Sequence, residues 1–294
     1  MEIGFIGLGI MGRPMAQNIA RAGHALHLYA RRPESLAPFE GKATIHASAA
    51  LVGSHADIVI TIVADAPDVE AVALGPDGVA AGARAAGRSD LILIDMSTIA
   101  PPAARGIATR LAEAGVTMLD APVSGGEPGA IHGTLTIMVG GPQPEFERAL
   151  PVLQAMGRSV TLIGPTGAGQ VAKACNQILT GAGVAAVAEA FNLARAHGVD
   201  PANVRTALMG GMARSAILDN HGNRMIARNF KPGFKSWMHQ KDLRIVLEEA
   251  HRLGLGLPLA AAVAQMFNAM QGAGMAEEDS VAMLKLYERL SGVE

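Results

Sequence analysis

The sequence predicts an α/β domain built on a doubly wound, mainly parallel sheet, followed by an all-helical domain. Three observations carry this. Over the first half, apolar runs of strand length alternate with amphipathic stretches of helical length. After Gly164-Pro165-Thr166-Gly167 the alternation gives way to helical patterning. Near the start of the chain, a glycine-rich turn lies between a strand-like run and a helical one. The expected boundary is at residue 165, with the first domain over 1–165 and the second over 166–294.

The strand candidates are Ile3–Ile6, Ala25–Tyr29, Ile58–Ile62, Leu91–Ile94, Thr117–Leu119, Leu135–Val139 and Val160–Ile163. Between them Met11–Ala22, Pro102–Ala114 and Pro144–Met156 read as amphipathic helices. A long Ala-rich helix is expected from about Gly169 to Ala196, ending near Gly198 and joining the two domains. Further helices follow, broken at Gly210-Gly211, Pro232-Gly233, Gly254 to Pro258 and Gly272 to Gly274. The most apolar stretch, Ile178 to Ala196, contains Glu189, Asn192 and Arg195, so it reads as a buried helix and not a membrane span.

At 294 residues the chain is about twice the usual single-domain length, enough for two moderate cores. Half of it is hydrophobic but only 3% is aromatic, so those cores must be built from Ala, Val, Ile, Leu and the 15 Met. Charged residues, at 17%, are too few for a disordered chain of this apolar content. A formal net charge of −2 gives no bulk attraction to nucleic acid or to an anionic membrane. Residues 1–165 hold 11 Lys/Arg against 15 Asp/Glu, and the remainder 13 against 11, so the second half suits a small anionic ligand. The lone Cys175 excludes an internal disulfide and reads as a packed small residue; no His/Cys spacing suggests a metal. Met1-Glu2 leads straight into a strand-like run without a basic leader, so a soluble, cytoplasmic protein is expected.

Gly7-Leu8-Gly9-Ile10-Met11-Gly12 fits G-x-G-x-x-G between a strand and a helix, the Rossmann-type arrangement for holding a dinucleotide. The first glycine permits the tight turn, the second lets backbone approach a pyrophosphate, and the third lets helix and strand pack closely. The helix N-terminus then offers N–H donors to the phosphates. At the end of the second strand, where an NAD site has a carboxylate for the ribose hydroxyls, stands Ala30, followed by Arg31 and Arg32. Loss of the negative charge and gain of two guanidinium groups favour a 2′-phosphate, so NADP(H) is expected as the preferred cofactor and NAD(H) as the second. The alternative is that both arginines are solvated loop charges.

From Gly4 to about Leu290 the chain resembles the β-hydroxyacid dehydrogenase family. Four segments in order carry the resemblance: the Gly4–Gly12 cofactor signature, Asp120-Ala121-Pro122-Val123-Ser124-Gly125-Gly126, Gly167 to Gln177, and Lys241-Asp242-Leu243. Asp120 to Glu127, Gly133-Thr134-Leu135, Met138 to Gly141 and Asn229 to Phe234 ahead of His239 to Leu243 are most similar to the members that reduce tartronate semialdehyde to glycerate. Members acting on 3-hydroxyisobutyrate share most of these residues. Val63-Ala64 departs from the Leu-Pro common among relatives.

The resemblance implies reduction of a small semialdehyde acid. Hydride delivery to a carbonyl leaves negative charge on oxygen, so a proton must arrive as the alkoxide forms. Lys173 is the candidate general acid, its ammonium stabilising the charge and donating the proton. Asn176 and Gln177, three and four residues on, share its helix face, with Asn176 hydrogen-bonding the substrate. Ser124, Gly125 and Gly126 are expected to take the substrate carboxylate on backbone N–H groups and the hydroxyl. Lys241, oriented by Asp242, adds a second positive contact to substrate and cofactor, and Thr98 and Val63 contact the cofactor. His239 carries no assigned role. A homodimer or homotetramer through the second domain is expected. An imine reductase would be expected to replace Lys173, and a silent NADP-sensing module to lose Lys173 or Asn176; both residues are present.

Overall fold

The computed structural model describes residues 1–292. Val293 and Glu294, the end of the expected second domain, lie outside the described residues. Two compact units divide between Lys173 and Ala174, eight residues after the expected boundary.

The first unit runs β1 (Glu2–Ile6), α1 (Gly12–Arg21), β2 (Ala25–Tyr29), β3 (Thr44–Ile45), α2 (Ala49–His55), β4 (Ile58–Thr61), α3 (Ala66–Leu74) and α4 (Val79–Ala85). It continues with β5 (Ile92–Asp95), α5 (Pro101–Glu113), β6 (Thr117–Asp120), β7 (Val123–Ser124), α6 (Gly126–His132), β8 (Leu135–Gly140), α7 (Gln143–Met156) and β9 (Gly157–Gly164). The first turns of α8 (Ala168–Ala196) complete it.

The strands form one sheet in the order β3-β2-β1-β4-β5-β6-β8-β7, with β9 on the other edge of β8. All pairs from β3 to β6 are parallel, as the alternating pattern requires. The central strands β4 and β5 are buried on both faces, so they read as continuous aliphatic runs. Ile58, Ile60, Ile92 and Ile94 pack on one face with Met15 and Ile19 of α1 and Val152 of α7. Val59, Leu91 and Leu93 pack on the other with Val52 of α2, Val79 of α4 and Ile107 of α5.

Past β6, β8 runs antiparallel to β6 and β7, and β9 runs parallel to β8. Asp120 faces Gly140, then Val123 and Ser124 face Ile137 and Thr136, so β6 and β7 run along β8 in a single register. The interruption falls at Ala121-Pro122, where proline has no N–H to give. Single-face patterning cannot show this kink, and β7 was not expected from sequence. Nor were β3 and the short helices α2, α3, α4 and α6; seven to nine residues are too few for a helical period to declare itself.

The second unit is helical: the rest of α8, then α9 (Pro201–Met209), α10 (Ala216–Ile226), α11 (Ser236–Leu253), α12 (Pro258–Gly272) and α13 (Met283–Ser291). The breaks fall at the glycine and proline clusters. By length and hydropathy (mean 1.2 in its most apolar window) α8 could cross a membrane. Its first turns are instead hydrogen-bonded into the sheet unit. Phe191, Phe267, Met225, Met270 and Met283 fill the helical core, with methionine doing the gap-filling that the scarcity of aromatics demands.

Asp279, 1% exposed, organises the loop that enters α11. Its carboxylate accepts the N–H groups of Gly233 (2.8 Å), Phe234 (2.9 Å) and Val281 (3.1 Å) and the Arg224 guanidinium (3.0 Å). Asp279→Ala strands those donors and is expected to cost about 3 kcal/mol. Urea unfolding of the whole chain checks this, and a loss under about 1 kcal/mol would contradict it.

Candidate active site

The glycine turn between β1 and α1 separates into two kinds of position. Gly7 has φ 103°, and a Cβ there would lie 2.1 Å from the Ile62 carbonyl oxygen; a Cβ on Gly12 would lie 1.9 Å from that of Gly7. The chain's own packing requires both glycines. A Cβ on Gly9 would meet no protein atom within 4 Å, so what glycine keeps clear there is an approach from outside. This fits a pyrophosphate lying against the backbone. The first turn of α1 holds no acidic residue and its N-terminus has no side-chain cap, which suits an anion. Leu8 is buried, Ile10 is half exposed, and Met11 is the N-cap.

Beside this turn a hollow of about 350 Å³ is lined by Gly9, Ile10, Arg13, Gln17, Arg32 and Glu127, among others. Arg32 is thus near the glycine turn, while the exposed Arg31 lies 3.4 Å from Asp68 on α3. Ala30 is partly buried between β2 and these arginines. Arg13 was not singled out from the sequence; its place one residue after the third glycine is the signal that could have found it.

The C-terminal ends of β4, β5 and β6 carry a network that sequence reasoning saw only in part. Asp95, fully buried at the end of β5, accepts the Thr61 hydroxyl (2.8 Å) and the Ser97 hydroxyl (2.7 Å). Ser97 Oγ in turn accepts the Val63 N–H at 2.9 Å. The loops bearing Val63 and Thr98 are therefore pinned to one carboxylate. Gln170 of α8 donates its amide N–H to the Ser97 carbonyl (2.8 Å) and accepts the Ile99 N–H (3.2 Å), bracketing Thr98.

Asp120, level with Asp95 across the parallel pair and equally buried, accepts the N–H groups of Gly167 (2.6 Å) and Gln170 (2.9 Å). One turn on, Lys173 is 7% exposed and its ammonium donates to the Val123 carbonyl at 2.9 Å, next to Ser124. Gly125 (φ 134°) and Gly126 (φ 61°) turn the chain sharply after Ser124, a path that favours glycine. The first unit thus brings Lys173, Ser124, Thr98 and Val63 to the same sheet edge, all tied by hydrogen bonds to Asp95, Asp120 or their neighbours.

In the second unit, Asn176 donates its amide to Gln177 Oε1 (2.8 Å), Gln177 donates to Asp242 Oδ2 (2.7 Å), and Asp242 Oδ1 lies 3.1 Å from the Lys241 ammonium. Lys241 and Asp242 are buried, so they are not a surface ion pair. His239 is packed between Phe234 and Phe267. Cys175, expected to be packed, is exposed. Two residues along a helix is just over half a turn, so burying Lys173 turns Cys175 outward.

Burial pushes the Asp120 carboxyl up to about 6, against the pull of the Gly167 and Gln170 amides, and the Asp95 carboxylate pushes the same way. The folded chain therefore holds this proton more tightly than the unfolded chain, whose carboxyl titrates near 3.8. The contribution to stability is fully present below pH 4 and is lost as pH rises through 6. Wild type is expected to lose about 3 kcal/mol relative to Asp120→Asn between pH 4 and pH 7. Urea unfolding of both proteins across that range checks it; parallel stability curves would contradict it.

Residues 2–164 match the model for the NAD binding domain of 6-phosphogluconate dehydrogenase. Residues 167–287 match that for the NAD-binding region of NADP-dependent 3-hydroxyisobutyrate dehydrogenase. The chain is 44% identical over 291 residues to 2-hydroxy-3-oxopropionate reductase of Escherichia coli K12, covering 99% of this chain and 98% of that one. It is 37% identical over 296 residues to 3-hydroxyisobutyrate dehydrogenase of Pseudomonas aeruginosa, covering 97% and 98%. The crystal structure of 3-hydroxyisobutyrate dehydrogenase from Salmonella typhimurium superposes with a TM-score of 0.87 at 31% identity, covering 97% and 99%. The two matched models and the full-length relatives together place the chain in the β-hydroxyacid dehydrogenase family, as an NAD(P)-dependent oxidoreductase acting on the CH–OH group of small hydroxy acids.

Proposed function

We propose that the chain reduces tartronate semialdehyde to D-glycerate with NADPH, Lys173 supplying the proton. The observation that carries this is the buried Lys173 ammonium beside Ser124, at the sheet edge that also bears the glycine cradle. The likeness to 2-hydroxy-3-oxopropionate reductase supports the substrate. The bound cofactor supplies the hydride to the carbonyl carbon. The Val123 carbonyl, accepting from the ammonium at 2.9 Å, holds Lys173 beside Ser124. The ammonium stabilises the charge that grows on the substrate oxygen and then transfers its proton. The Ser124 hydroxyl and the N–H groups of the following turn hold the substrate carboxylate. Asn176, on the same helix, hydrogen-bonds the substrate; Gln177, Lys241 and Asp242 keep the binding roles the resemblance implies.

The preference for NADPH rests on Ala30, which leaves no carboxylate for a ribose hydroxyl, and on Arg31 and Arg32, which follow it with exposed guanidinium groups. Initial rates with NADPH and NADH, on tartronate and methylmalonate semialdehydes, test the reading. NADPH oxidation is expected with the hydroxylated substrate. Replacing Arg31 and Arg32 with alanine should raise KM for NADPH about 10- to 100-fold and leave NADH nearly unchanged. Preference for the methyl-bearing substrate would move the chain to a 3-hydroxyisobutyrate-type activity; equal use of both cofactors would remove the role given to the arginines.

A further inference from the structure

We infer that Asp120 is a positioning residue: its carboxylate fixes the first turns of α8 so that Lys173 and the Thr98 loop keep their places. The inference rests on the reading of Lys173 as proton donor.

A helix N-terminus is often closed from within. The N-cap side chain takes the N–H of the third helical residue, and a Glu or Gln there turns back to the N-cap N–H. In α8 the residue before the first helical one is Gly167, which has no side chain to offer, and the third is Gln170. Asp120, 47 residues earlier, satisfies both amides itself, Oδ1 taking Gly167 and Oδ2 taking Gln170. Gln170 is therefore released from turning back, and its amide reaches Ser97 and Ile99 on either side of Thr98. Three residues after Gln170, Lys173 is tied to Val123, three residues after Asp120. One short segment of chain thus grips α8 at two heights.

The surroundings are shaped for a carboxylate. A Cβ on Gly140 would come 2.6 Å from Asp120 Oδ1, and one on Gly169 would come 2.9 Å from Oδ2. Asp120 has no exposed surface, so it acts through α8 and not by touching substrate.

Asp120→Asn keeps the shape but sets an N–H₂ group against a backbone N–H. Its kcat for NADPH-dependent reduction is expected to fall roughly 100-fold, the loss typical of a displaced catalytic group. Its Kd for NADPH, read by cofactor fluorescence, should stay within about threefold, because Asp95 still pins the Val63 and Thr98 loops through Ser97. Acetylation of Lys173 by acetic anhydride, followed by peptide mass spectrometry, should accelerate relative to the other lysines. General destabilisation would speed all lysines alike. Gly140→Ala, whose Cβ would come 2.6 Å from the carboxylate and 2.7 Å from the Gly169 nitrogen, crowds both sides of this contact and should reproduce both effects. A folded Asp120→Asn protein with wild-type kcat and unchanged relative labelling of Lys173 would overturn the inference. Inactivity of the wild-type enzyme on every semialdehyde would instead remove the functional reading, and the labelling result would still decide the role of Asp120.

Discussion

The structure depends on a carboxylate buried where the sheet ends. Asp120 leaves β6 and meets the two amides that open α8, and from that contact the positions of Gln170, Thr98 and Lys173 follow. The cost is visible in the same group. Burial, with Asp95 adding to it, holds its proton up to about 6. A protein that needed only a helix cap could use a serine at the N-cap itself for about 1 kcal/mol. Gly167 forgoes that, and the cap arrives from a strand, so strand and helix are fixed to each other.

The neighbouring network has the same logic. Asp95 fixes the loops after β4 and β5 through Thr61 and Ser97, so the candidate cofactor contacts Val63 and Thr98 sit on backbone held by buried side chains. In the helical unit Asp279 does this for the loop ahead of Lys241 and Asp242. In each place a buried carboxylate is surrounded by several N–H or O–H donors, the condition under which burial of charge is tolerable.

Much of this was legible in the sequence where the signal is local. The glycine cradle, the run of alternating strands and helices, the 29-residue α8 and the breaks between later helices are all set by neighbours within a few positions. What was missed has a common cause. The short helices α2, α3, α4 and α6 span too few residues to show a period, and β7 is hidden behind Pro122. Asp120 was noticed only as the start of a motif, because the amides it holds lie 47 and 50 residues away. The stacked rings of His27, His46 and His55, 5.0 to 5.7 Å apart, are brought together from a strand, a loop and a helix that no spacing rule links. Cys175 was misread because apolar neighbours say that a helix is packed without saying which way each residue turns.

If Lys173 delivers the proton while the glycine cradle holds the cofactor, the two functions should separate. Lys173→Ala, loaded with NADPH and mixed with tartronate semialdehyde in a stopped-flow instrument, tests this directly. NADPH affinity is expected to stay close to that of wild type and single-turnover hydride transfer to slow by about 10³-fold. Transfer at the wild-type rate would contradict it.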